Sequence, residues 1–198
     1  MVKVAILIVI AILGAAIGAG SALWAAGIVG GRGFVFSDID SAGWVSDWSI
    51  GSEAAGPYTR ARIARHGLLA MTKEEAVYFT RNTEDQGERL SESCRYVLSG
   101  EDQPAEWWSI TLYDAQSRLP MNDDGALSLD VTRTGRTQAW EAMVSATRQA
   151  EEGLWISSRN AGAFDLTLRL YRPSQAMLDD PLAELNAPSI RRVDCEDR

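Results

Sequence analysis

The stretch Glu106-Trp107-Trp108-Ser109-Ile110-Thr111-Leu112-Tyr113-Asp114 decides how this chain is read. Trp108, Ile110 and Leu112 fall on one side and Trp107, Ser109, Thr111 and Tyr113 on the other, the two-residue period of a half-buried strand. A second stretch repeats the pattern: Phe164, Leu166, Leu168 and Leu170 point one way, and Asp165, Thr167, Arg169 and Tyr171 the other. Strands with one apolar and one polar face belong to antiparallel sheets covered on one side. The expected fold class is mainly β.

On the C-terminal side of the first stretch, Asn122-Asp123-Asp124-Gly125 is a turn signal, and Leu127, Leu129 and Val131 then alternate. The acidic run lacks the ligand spacing and closing glutamate of a calcium loop, so it reads as a connection. Residues 140 to 149 fit a helix through Trp140, Met143, Val144 and Thr147, and a strand through Trp140, Ala142 and Val144; periodicity leaves both open. On the N-terminal side, Thr72-Lys73-Glu74-Glu75 has the form of a capping box, but Ala76-Val77-Tyr78-Phe79-Thr80 favours a strand, and a strand is expected. Asp85-Gln86-Gly87 then turns the chain, with Ser93 to Leu98 returning as the second arm of a hairpin. Before these strands, Pro57 opens an amphipathic helix through Ala61, Ala64, Leu68 and Met71. Its outer arc carries Arg60, Arg62, Arg65 and His66, read as a solvated face rather than an anion grip.

From Val4 to Val29 the chain has no charge and no proline. At about 1.5 Å per residue this helix reaches roughly 39 Å, more than the roughly 30 Å hydrocarbon core of a bilayer. The reading is a membrane anchor over residues 1–30, in contact with lipid through residues 4–29. A cleaved secretory signal ending near Gly20-Ser21-Ala22 is the competing reading, but its apolar region would be shorter. Either one exports the remainder of the chain. Lys3 lies on one flank, whereas Arg32 on the other is followed by Asp38, Asp40 and Asp47, which leaves the N-terminus cytoplasmic and the C-terminal domain periplasmic or otherwise extracytoplasmic. Gly14 and Gly18 form a GxxxG spacing that suits a homodimer face, although a helix this rich in small residues meets that spacing by chance. Residues 31–56, dominated by glycine, serine and aspartate, read as a flexible tether, with Trp44 and Trp48 near the membrane surface. The remainder, residues 57–198, forms the β domain.

The net charge of -8 opposes binding to nucleic acid. One histidine and two cysteines fall short of a zinc site, and with no phosphate loop or nucleophile elbow, no metal or cofactor is implied. In an exported domain, Cys94 and Cys195 are expected to form a disulfide. Of the carboxylates, Glu106, Asp114 and Asp165 lie on or beside the main strands, where a suitably spaced pair could serve glycoside hydrolysis.

Residues 57–193 resemble the DUF1214 family of bacterial domains of unknown function. The resemblance is carried by Arg95-Tyr96, the Trp107 to Asp114 run, Asn122, Trp155 and Leu168-Arg169-Leu170-Tyr171-Arg172-Pro173. It implies a β-sandwich, jelly-roll-like, and turns the Trp140 region toward a strand. Longer members join this domain to a second one, in whose place this chain carries its anchor and helix. Where those members have Asn-Trp-Leu-Pro, this chain has Leu154-Trp155-Ile156-Ser157. The family implies no activity. The functional expectation is a membrane-anchored envelope protein acting as a noncatalytic binding or accessory module for a partner protein or small ligand. Trp107, Tyr113, Arg169 and Tyr171 on the polar face are its candidate contacts, against an ordinary outer face, or a face covered by the Pro57 to Met71 helix with Arg169 held by Asp114 or Asp165. The alternative is a carboxylate-dependent enzyme on envelope glycans, which two carboxylates facing one cleft would favour.

Overall fold

The computed structural model describes residues 2–25, 38–50, 55–57, 60, 71–148 and 153–196. The chain divides into two units, residues 1–36 with 49–70 and residues 37–48 with 71–198. In the first, helix α1 (Val2–Ala25) contains a 23-residue span, Val2–Trp24, of mean hydropathy 2.6, long and apolar enough to cross a membrane. Its side chains are exposed around the helix. The helix expected from Pro57 to Met71, with Arg62, Arg65 and His66, lies almost wholly outside the described residues.

The described residues of the second unit hold ten strands: β1 (Ile39–Ser41), β2 (Trp44–Ser46), β3 (Ala76–Arg81), β4 (Cys94–Gly100), β5 (Ala105–Asp114), β6 (Ser128–Asp130), β7 (Trp140–Ser145), β8 (Leu154–Ser157), β9 (Phe164–Pro173) and β10 (Ser189–Cys195). Short helices α2 (Val131–Thr134), α3 (Gln175–Asp179) and α4 (Pro181–Glu184) join them. One sheet has the order β1-β2-β3-β9-β5-β6 and the other β10-β4-β7-β8. The apolar faces of β5 and β9 work as the alternation requires. Trp108, Ile110, Leu112, Leu166, Leu168 and Leu170 are fully buried against Tyr96, Leu98, Val144, Ile156 and Ile190 of the other sheet. Trp108 stacks on Trp140 across the core, ring centroids 5.4 Å apart, and Tyr96 meets Phe164 edge to face at 6.0 Å.

Several expectations need correction. The tether does not run through to residue 56, because Ile39 to Ser46 fold as a hairpin. Ala42 and Gly43 take φ of 51° and 83°, the twist that a two-residue turn between strands requires. Trp44 is buried rather than membrane-facing, and its indole N–H donates to Pro188 O at 2.7 Å. The segment returning after Gly87 is a strand, but not the arm of a hairpin. β3 pairs with β9 and β2, whereas β4 pairs with β10 and β7 in the opposite sheet. Only the Thr83–Arg89 bridge survives of the expected pairing. Alternation from Leu127 to Val131 gives a strand of three residues, because Asp130 turns its carboxylate onto the amides of Thr132 and Arg133 and caps α2. The second sheet is not wholly antiparallel, since β7 and β8 run parallel. β7 over Trp140–Ser145 settles the ambiguous region as a strand.

Candidate functional site

The register of the first sheet assembles its polar face in rows. Trp107 lies opposite Tyr171, which lies opposite Ala76; Ser109 opposes Arg169, which opposes Tyr78; Thr111 opposes Thr167, which opposes Thr80; and Tyr113 opposes Asp165. Same-face neighbours on adjacent strands stand about 5 Å apart, so the four residues singled out from sequence share one surface. They divide into two pairs. The Arg169 guanidinium donates to Thr111 Oγ1 at 3.1 Å and to the Tyr113 hydroxyl, and lies 5.2 Å from the centre of the Tyr113 ring. Hydroxyls and a π-face hold it, not Asp114 or Asp165. Trp107 packs on Tyr171 at 5.4 Å and donates its indole N–H to Thr132 Oγ1 at 3.3 Å.

This face is less open than its composition suggests. Tyr78, Ser109, Thr111 and Thr167 are each under a tenth exposed, whereas Trp107 keeps 37% of its surface. Burial pushes the Tyr78 hydroxyl above its ordinary range, with Tyr171 and Tyr113 adding to the shift and Arg169 opposing it. Of the four candidate residues Trp107 alone is exposed, and Tyr113, Arg169 and Tyr171 are half-buried. Beside Trp107, Arg172 pairs with Glu106 at 3.3 Å, with side chains 73% and 63% exposed. Arg136 reaches the carbonyls of Ala105 and Glu106 and the Asp102 carboxylate. Tyr78 was absent from the sequence-based set, although its place between Ala76 and Thr80 in the alternation was visible.

The three carboxylates do not share one site: Asp114 and Asp165 are neighbours across β5 and β9, and Glu106 lies at the far end of β5. Glu106 and Asp114 stand at opposite ends of β5, roughly 27 Å apart at about 3.4 Å per residue. Asp114 is spent on its own turn, with Oδ1 accepting from the amides of Gln116 and Arg118. Burial raises the Asp165 carboxyl to about 7; the hydroxyl of Thr167 and the charge of Arg89 oppose the shift and the charge of Asp114 adds to it. A concavity of about 600 Å³ lies instead on the second sheet, lined by Ser99, Glu101, Trp140, Glu141, Asn186 and Ser189 among others. Ser99, Glu141 and Ser189 alternate with the core residues Leu98, Ala142 and Ile190, so this groove is on the outer face. Sequence reasoning had no signal for it, since it arises where β10 and β7 flank β4.

Cys94 and Cys195 are bonded and sit directly opposite each other in the β4–β10 ladder. Asn122 and Trp155 have structural partners. Asn122 Nδ2 donates to Arg159 O at 2.8 Å, and the Trp155 indole N–H donates to Ser145 Oγ at 3.0 Å. Asp124, from the acidic run, accepts from Ser157 Oγ at 2.6 Å and from Arg159 Nε at 3.0 Å, tying its loop to the end of β8.

Comparison with curated proteins finds no match. Among solved structures, the VPA0106 protein from Vibrio parahaemolyticus is similar, with a TM-score of 0.55 at 21% identity over 71% of this chain. This chain covers 36% of that protein, well under half of its length. An uncharacterized protein from Burkholderia cenocepacia aligns with a TM-score of 0.40 at 18% identity, over 63% of this chain and 31% of that one. The first likeness concerns the fold alone. A family model matches residues 75–175, from the turn before β3 through β9, and on that match the chain belongs to the family described as protein of unknown function DUF1214.

Proposed function

We propose that this chain is a single-pass membrane protein whose β domain stands outside the cytoplasm as a noncatalytic module, binding a partner protein or small ligand through the polar face of its first sheet. The observation that carries the reading is the joining of Trp107, Tyr171, Arg169 and Tyr113 by register into one aromatic and arginine surface. Such residues are enriched in binding hot spots because they offer large contact area at modest entropic cost. The disulfide supports an oxidising compartment, and the apolar helix supports the anchor. Protease added to intact spheroplasts digests an outward-facing domain; a protected domain sinks the orientation. Crosslinking in cells with the Trp107→Ala and Tyr113→Ala variants tests the face. Loss of a crosslinked partner with unchanged thermal unfolding supports it, and an unchanged partner set refutes it.

A carboxylate-dependent enzyme on envelope glycans is the second reading, favoured by one observation: Glu101 and Glu141 both line the 600 Å³ groove. Glycan hydrolysis abolished by Glu141→Gln would establish it.

A further inference from the structure

We infer that the Cys94–Cys195 bond is a thiol–disulfide exchange site: a thioredoxin-type dithiol protein reduces it in the folded domain by attack at Cys195, and reduction loosens the outer half of β10. The bond lies in the second sheet, so the inference does not rest on a binding role for the polar face of the first.

Access decides which sulfur is attacked. In exchange a thiolate bonds to one sulfur and expels the other, and exposed disulfides are the labile class. Cys94 is 8% exposed and belongs to the core cluster. Cys195 is exposed, as is every residue of β10 from Arg191 onward. β10 is also the edge of its sheet, and among the described residues no strand lies beyond it. An incoming thiolate therefore meets Cys195.

That leaves Cys94 as the leaving sulfur, and apolar surroundings disfavour a thiolate. The fold supplies a donor. Ser93 Oγ lies 3.8 Å from Cys94 Sγ, and because a bonded sulfur carries no proton, the hydroxyl donates. Ser91 Oγ accepts from Ser93 N at 3.4 Å and gives its own proton to Ser93 Oγ at 3.0 Å, which leaves the Ser93 proton for the sulfur. A leaving thiol of lowered pKa departs faster. The step balances: the attacking thiolate bonds to Cys195 Sγ, the S–S bond breaks, and Cys94 Sγ leaves with the electron pair and takes a proton from solvent. The second thiol of the dithiol protein then displaces Cys195 as a thiol. Two electrons and two protons have passed to this chain, and the dithiol protein ends as its own disulfide.

What reduction releases follows from the ties that remain. Trp44 and Asp85 hold Pro188 and Ile190. Further along, the β10–β4 ladder is interrupted by a register shift between Arg192 and Asp194, and Asp194 pairs with Arg95 at 3.3 Å on the exposed side. Shifts of this kind disrupt a ladder locally, and exposed pairs contribute little. The strand beyond the shift therefore frays when the bond opens and settles again when it closes. The adjoining edge of β4 opens with it, because Glu196 N is what covers Ser93 O.

The test is reduction of the purified full chain, folded in detergent micelles, by an excess of reduced thioredoxin, with acid quenching and maleimide labelling to follow the freed thiols. The expected rate is indifferent to urea below the unfolding transition, because no unfolding precedes attack. A rate that climbs with urea in step with global unfolding overturns the proposal, since the bond is then reached only through the unfolded chain. Ser93→Ala should slow reduction roughly three- to tenfold, the worth of one hydrogen bond, and Ser93→Thr should restore it. A destabilised fold would speed reduction, so slowing cannot come from misfolding. An unchanged rate in Ser93→Ala overturns the assignment of Cys94 as leaving sulfur and with it the attack at Cys195. In the reduced chain, hydrogen exchange should quicken at Glu196 N, stay slow at Ile190 N, and revert on reoxidation. Loss of protection at both amides overturns the switch, because the bond would then hold the whole fold.

Discussion

Replacing Cys94 and Cys195 with serine opens a covalent loop whose ends are 101 residues apart. In the chain-entropy picture, closing about 100 residues removes up to about 4.7 kcal/mol of freedom from the unfolded chain. The structure indicates that little native energy accompanies it. β10 is an edge strand, and of its residues only Ile190 is buried. The Pro188 to Ile190 segment keeps other ties: the Trp44 indole to Pro188 O, Asp85 N to Ile190 O, and Ile190 N to Asp85 Oδ1. What the disulfide alone guards is the outer half, where Arg95 and Asp194 form an exposed pair at 3.3 Å and Glu196 N donates to Ser93 O. Exposed pairs of this kind contribute below about 1 kcal/mol. The double serine variant should therefore lose about 3 to 5 kcal/mol, most of it by freeing the unfolded state. Guanidinium unfolding should show a lower midpoint together with a steeper m, since a chain without the crosslink exposes more surface. Hydrogen exchange should quicken at Glu196 N while Ile190 N stays protected. An unchanged midpoint refutes the argument. A lower midpoint with unchanged m would move the effect into the native state.

Other perturbations read other parts of the fold. Gly100→Ala would put a Cβ 2.6 Å from Trp140 Cζ2, so it should cost about 1 to 3 kcal/mol by overpacking against the Trp108–Trp140 stack; an unchanged denaturation midpoint would show that the ring gives way freely. Arg81, 5% exposed, bridges Asp85 at 2.8 Å and Pro188 O, so Arg81→Met should cost about 1 to 3 kcal/mol in thermal unfolding, and a cost indistinguishable from zero would dismiss that bridge. Asp165 binds its proton up to about pH 7 in the folded protein, against an ordinary value of 3.8 when unfolded. Its contribution is thus fully present at low pH and is lost as pH rises through that window, because the unfolded state binds fewer protons there. Asp165→Asn should flatten the fall in stability between about pH 4 and pH 7, and an unchanged pH slope would contradict the burial argument.

Much of this was legible in the chain itself, because side-chain direction in a strand is local. Successive residues of an extended backbone must point to opposite faces, so the strict alternation of Trp108, Ile110 and Leu112 with Ser109, Thr111 and Tyr113 assigned core and polar sides before any partner strand was known. The apolar run to Val29 likewise needs nothing beyond its length to suit a membrane. Partnership is not local, and there tertiary structure decided. Nothing between Arg81 and Cys94 reveals that β4 crosses to the opposite sheet, since either sheet offers it equivalent backbone hydrogen bonds and only packing of the whole core separates the two. Trp44 reads as an interfacial residue until Pro188, 144 positions away, supplies an acceptor for its indole. The candidate site divides in the same way: composition named Trp107, Tyr113, Arg169 and Tyr171, but register determined which pairs they form, and packing left Trp107 exposed and the other three half-buried. Exposure is a property of everything packed around a residue, and no stretch of sequence contains that.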